Sequence, residues 1–147
     1  MMSRRSFVQM TCSACVGSPV ITSLLAGCAS ARYVNGTLES TGISVLKTEF
    51  NISKDAAPSY RDYIIVRNEK LEYPICLYRL TETDYSAILM KCTHQGTELQ
   101  AAGDHLHCPG HGSEFNNRGQ VSHGPAENNL RTFDVRTEEE KLFIELK

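Results

Sequence analysis

Two cysteine–histidine pairs constrain this chain more than any other feature. Cys92 and His94 stand one residue apart, Cys108 and His111 two apart, and thirteen residues separate the pairs. Four of the five histidines fall between positions 92 and 111. A thiolate and an imidazole this close along a turn can both face one metal object. Two such turns can close a tetrahedral zinc site or hold a two-iron cluster. Either outcome needs a fold that sets two loops side by side. Gly96, Gly110 and Gly112 let the backbone come close to a bound group, and Pro109 stiffens the second turn. Successive N–H groups in such turns can donate to sulfur and offset its negative charge.

The rest of the chain reads as a β scaffold for those loops. Period-2 apolar runs at 43–50, 60–67, 73–80 and 85–90 are rich in Ile, Val, Tyr and Leu, and predict strands. Polar residues 81–84 join two of them as a hairpin. Gly103 and Asp104 divide 98–102 from 105–107 in a smaller hairpin, and 116–119 is a turn cluster. Residues 130–135 and 141–146 predict a last hairpin around 137–140, where Glu138, Glu139 and Glu140 form a solvated turn. Past the N-terminal segment no stretch has helical periodicity, and there is no internal repeat. The expected fold is all-β, an antiparallel sandwich or barrel with the metal-binding loops inserted between strands.

Other polar side chains have plainer readings. Cys76 lies in an apolar strand and reads as a small core residue. On a strand, His107 points opposite to its neighbour Cys108 and so away from any shared metal. His105 reads as an exposed strand residue and His123 as a solvated loop residue. The chain carries 15 basic and 17 acidic residues, a formal net charge of −2, so it has no electrostatic footprint for nucleic acid.

The first residues look like an address rather than a fold. Arg4 and Arg5 precede a stretch without charge that lasts to Ala31. A basic start, an apolar middle and a small-residue end make an export signal. Ser3-Arg4-Arg5-Ser6-Phe7-Val8 resembles the twin-arginine signal, and Leu25-Ala26-Gly27-Cys28 resembles a bacterial lipobox. This divides the chain into a signal peptide at 1–27, a flexible tether at 28–41 and a folded domain at 42–147. Lipidated Cys28 would then hold the domain at a membrane, facing the periplasm. Ala29 follows rather than Asp, which points to the outer membrane. The uncharged stretch is also long enough to span a bilayer if it is kept. Cys12 and Cys15 fall in the removed segment, and Cys76 is left without a disulfide partner.

Cys92-Thr93-His94-Gln95-Gly96 and Cys108-Pro109-Gly110-His111-Gly112-Ser113 resemble the two boxes of Rieske [2Fe–2S] proteins. Gly124-Pro125-Ala126 resembles the segment that covers the cluster in that family. The resemblance implies a Rieske β-sandwich with a cluster-binding subdomain inserted at about 91–115. It implies one [2Fe–2S] cluster, with Cys92 and Cys108 on one iron and His94 and His111 on the other, near the surface. Ser113 matches the residue whose hydroxyl donates to a cluster sulfur. Two positions depart from the family pattern: Thr97 and Gly110 stand where many members carry a loop-bridging disulfide. A third departs as well, since Phe115 stands where a tyrosine hydroxyl is common. The implied function is one-electron transfer to a redox partner protein or a membrane oxidoreductase. Two neutral imidazoles in place of thiolates put the family at roughly −150 to +300 mV, and the missing features point below about +150 mV. Two other readings share the ligands. One is the Rieske subunit of a cytochrome bc-type complex, with its anchor kept as a membrane helix. The other is a structural zinc domain, which leaves Ser113 and Gly-Pro-Ala unexplained. A Rieske oxygenase is not expected, because no 2-His-1-carboxylate set lies outside the boxes.

Overall fold

The computed structural model describes residues 31–52 and 58–147. The predicted export signal, Cys12, Cys15 and the lipobox Cys28 lie outside the described residues.

The architecture follows from two strands that are apolar on both faces. In β4 (Tyr63–Arg67) the residues Ile64, Ile65 and Val66 are all buried, and in β5 (Ile75–Arg79) four successive residues are buried. A strand open to water on one side alternates, whereas one covered on both sides reads as a continuous apolar run. β4, β5 and β6 (Tyr85–Leu89) pair antiparallel and form the middle of a five-stranded sheet, with β1 (Tyr33–Asn35) and β11 (Thr132–Phe133) at its edges.

Each face of that sheet has its own partner. Ile64, Val66, Ile75, Leu77 and Ala87 pack with Ile43, Val45, Leu142 and Ile144. The last four belong to a second sheet, ordered β12 (Val135–Thr137), β13 (Lys141–Glu145), β3 (Gly42–Leu46) and β2 (Thr37–Leu38). The alternate residues Ile65, Cys76, Tyr78 and Ile88 pack on the opposite face with Leu106, Phe115, Cys92 and Cys108. That face is covered by a third sheet of short strands: β7 (Gln100–Ala102), β8 (His105–His107), β9 (Glu114–Asn116) and β10 (Val121–His123). The all-β expectation holds, with the loop-bearing hairpins as a layer of their own. The inserted layer runs further than 91–115, because β9 and β10 complete it.

Three local readings change. Residues 32–38, assigned by composition to a tether, form β1 and β2. β1 pairs with β4 and is the one parallel partner among the described residues, and Val34 is buried between the sheets. The run 43–50 is a strand only to Leu46. Lys47–Phe50 is a 3₁₀ turn that drops Phe50 into the core, edge-on to Tyr85 at 5.7 Å. The run 130–135 divides as well: β11 pairs with β6 in one sheet, and β12 pairs with β13 in the other.

Candidate metal centre

The two Cys–His loops are built alike. In the first, the Cys92 N–H donates to the Thr97 carbonyl at 2.9 Å and the Gly96 N–H to the Cys92 carbonyl at 2.8 Å. In the second, the Cys108 N–H donates to the Ser113 carbonyl at 2.8 Å and the Gly112 N–H to the Cys108 carbonyl at 3.0 Å. Both loops need a left-handed residue at the fourth position after the cysteine. Gly96 and Gly112 supply it with φ of 76° and 77°. The first loop is closed at its base by a bridge between Lys91 and Glu98, and the second joins β8 to β9.

This construction sorts the ligand types by depth. Cys92 and Cys108 are buried in the layer beneath the loops, beside Leu106 and Phe115. His94 is half-buried and His111 exposed, and their rings stand at 87° to each other with centroids 4.8 Å apart. The Nδ1 of His94 is buried and has no hydrogen-bond partner. A buried polar nitrogen costs free energy unless something accepts or coordinates it. A metal on the inner side of the imidazole would satisfy it.

The cysteine environment also suits a ligand. Burial pushes the Cys108 thiol up. Donation from the His111 and Gly110 N–H groups, from Cys92 and from the Thr97 hydroxyl outweighs this and leaves it below its ordinary value. Donors aimed at sulfur stabilise the thiolate, the form that binds metal. Cys76 is the opposite case: burial pushes its thiol far up, so it stays neutral in the core.

A third segment locks the two loops together. The Ala126 N–H donates to the buried Ser113 hydroxyl at 3.0 Å, which leaves the Ser113 proton free to point elsewhere. The Thr93 hydroxyl donates to the Asn128 carbonyl at 2.6 Å. Gly124 and Pro125 precede Ala126 with a cis peptide bond between them.

The structure sets the His94 ring against that of His111, buries Cys92 and Cys108 in one core cluster, and leaves the other histidines out. Leu106 turns into the core, so His105 and His107 turn outward on β8. His107 Nδ1 lies 3.9 Å from Glu114 and His105 Nδ1 3.2 Å from Asp104. His123 is exposed, as expected, but sits on β10 rather than in a loop. Sequence reasoning missed the roles of Thr93 and Thr97. Only their position inside a ligand box marked them, because a threonine hydroxyl is ordinary at any turn. Among the described residues no three His, Cys, Asp or Glu side chains converge as a single metal ion requires. A two-iron cluster with one pair of ligands on each iron would not need such a convergence.

A family model described as the Rieske [2Fe–2S] domain matches residues 38–134. The chain is 33% identical over 84 residues to the oxygenase component of dicamba O-demethylase from Stenotrophomonas maltophilia, covering 50% of this chain and 25% of that protein. It is 38% identical over 64 residues to the cytochrome b6-f complex iron–sulfur subunit 1 from Nostoc, covering 42% of this chain and 35% of that protein. The chain thus spans about a quarter to a third of the curated relatives it matches. The crystal structure of a cyanobacterial plasma membrane Rieske protein from Synechocystis superposes with a TM-score of 0.51 at 24% identity, over 57% of this chain and 86% of that one. That likeness bears on the fold.

Proposed function

Because the chain belongs to the Rieske [2Fe–2S] domain family and so binds a [2Fe–2S] cluster, we propose that it passes single electrons between redox partners, with Cys92 and Cys108 on one iron and His94 and His111 on the other. The observation that carries the assignment is the buried, partnerless Nδ1 of His94 beside the perpendicular His111 ring. Bound there, the cluster supplies a one-electron couple near neutral potential, because two imidazoles replace two thiolates.

The remaining work belongs to the chain's own residues. N–H groups of His111 and Gly110 favour the thiolate form of Cys108. Ser113, fixed by Ala126, keeps a hydroxyl proton to offer to sulfur. The 124–130 segment covers the loops through Ser113 and Thr93 and limits water. The exposed His111 edge gives a partner a short approach, whereas the thiolates lie inside.

The relatives include an oxygenase component and a subunit of the cytochrome b6-f complex. Their variety supports a general electron-transfer role more than any one partner. The domain is proposed to work as a lipid-anchored carrier at the periplasmic face of a bacterial membrane. Arg4-Arg5 and the Leu25-Ala26-Gly27-Cys28 string support this part of the proposal. Among the described residues no helix is long and apolar enough to cross a membrane.

Protein from its natural host tests both parts. The expected result is two irons and two acid-labile sulfides per chain, with a rhombic EPR signal on reduction. Stoichiometric zinc without sulfide would overturn it. Mass spectrometry of the N-terminus is expected to find acylated Cys28, and an intact membrane-embedded 1–27 segment would move the protein to the bc-type reading.

A further inference from the structure

A pocket of about 370 Å³ lies beside the first ligand loop, and two cations stand in its wall. The Lys91 ammonium is 4.7 Å from the centre of the Tyr73 ring, and the Arg131 guanidinium is 4.9 Å from the centre of the Phe133 ring. A ring face holds a cation in place without neutralising it. Neither cation has a carboxylate partner among the described residues, whereas Arg32, Arg67, Arg118 and Arg136 each have one. Glu72 is the carboxylate of the pocket and pairs with neither, so among the described residues the cations outnumber the acid two to one.

The pocket is tied to the metal centre. The end of β6 runs through Leu89 into Lys91 and Cys92. The Met90 N–H donates to the Pro74 carbonyl and the Leu89 N–H to the Arg131 carbonyl, both at 2.9 Å. These bonds pin the Tyr73 and Arg131 segments on either side of that strand end. A Cβ placed on Gly96 would lie 3.5 Å from Lys91 Cε and 3.9 Å from the Tyr73 hydroxyl. A partner seated in the pocket therefore stands against the loop that carries His94.

We propose that this pocket is the docking point for an acidic electron-transfer protein, whose surface carboxylates pair with Lys91 and Arg131 while one electron passes between its redox centre and the cluster. The proposal rests on the reading of the chain as a [2Fe–2S] electron carrier. The formal charge of the whole chain is −2, so the attraction is local to the pocket. Charge pairs at the rim of an interface act on the encounter rate and on its salt dependence.

Stopped-flow oxidation of the reduced, loaded full-length protein tests this with two probes. Plastocyanin is an acidic blue-copper protein, and mitochondrial cytochrome c is a basic haem protein. Each takes one electron from the cluster. The readout is the ratio of the two second-order rate constants within one variant, plastocyanin over cytochrome c, so that a shared shift in driving force cancels. Lys91→Gln with Arg131→Gln is expected to lower the ratio about tenfold at low salt, and each single change about threefold. At about 1 M salt, where screening shortens to about 3 Å, wild type and double variant are expected to converge. Lys141→Gln removes an exposed cation on β13, outside the pocket, and is expected to change the ratio less than about twofold.

A double variant with full iron and sulfide but an unchanged ratio overturns the proposal. An equal fall in Lys141→Gln also overturns it, because the effect would then follow total charge. If Lys91→Gln fails to load, Arg131→Gln decides: a lowered ratio supports the proposal and an unchanged one overturns it. Anionic lipid is the other candidate occupant. If the wild type outpaces the double variant beside phosphatidylcholine vesicles but not beside vesicles carrying phosphatidylglycerol, the pocket belongs to a membrane surface and the proposal falls. An advantage kept beside both supports it. A wild-type protein without labile sulfide would instead overturn the cluster assignment, so the two failures are distinguishable.

Discussion

Ser113 illustrates how one side chain serves two purposes. It is fully buried, accepts the Ala126 N–H at 3.0 Å and still has a proton to give. Ser113→Ala removes the acceptor and the free hydroxyl proton together. The midpoint is expected to drop, as read by voltammetry. The Ala126 N–H is left buried without an acceptor, which costs about 1–3 kcal/mol. Urea unfolding of the loaded protein is expected to show that loss. Its sequence position alone marked Ser113 as part of the second box. Its tie to Ala126, thirteen residues away, is a tertiary fact.

At the scale of the element, β4 separates the two cores residue by residue. Ile64 faces the layer with Ile43 and Leu142, whereas Ile65 faces the layer with Cys92 and Cys108. Both are buried, so Ile64→Ala and Ile65→Ala are each expected to cost about 2–5 kcal/mol in urea unfolding. Their effects on the metal centre are expected to differ. Ile65→Ala leaves a void beneath the ligand loops and is expected to speed bleaching of the visible absorption under an iron chelator. Ile64→Ala is expected to leave the bleaching rate unchanged. The strand itself was legible as an apolar run. Its burial on both sides was not, because a short apolar run fits one covered face or two. The 130–135 run shows the same limit. Phe133 and Val135 both pack against the core between the first two sheets, so their alternation continues while the chain crosses from β6 to β13.

For the whole molecule, the metal centre ties one layer to the rest. His111→Ala removes an exposed residue proposed as a ligand and is expected to abolish cluster binding. Ligand bonds are folding free energy for the loops they join. Hydrogen exchange is expected to quicken in β7 to β10 while the β3–β13 ladder keeps its protection. Iron removal from the wild type by chelation is expected to give the same pattern. Alkaline pH tests the middle layer. Burial pushes the Cys76 thiol and the Tyr78 phenol above their ordinary values. The unfolded chain then loses these protons first, binding fewer than the folded one, so stability falls as pH rises. The loss is expected to begin above about pH 8.5, the ordinary cysteine value, and to steepen above about pH 10, that of tyrosine. Cys76→Ala is expected to remove the first part of that slope in pH-dependent urea unfolding.

Residue type and spacing alone determined the two Cys–His boxes, the all-β class, the core place of Cys76 and the outward turn of His107. These depend on local chemistry: which atoms can bind iron, and which way a strand alternates. The three-layer arrangement, the parallel edge strand made from the expected tether, and the split at residues 133–135 were decided by tertiary structure. Each depends on which surface covers which face, and a period of two leaves that open.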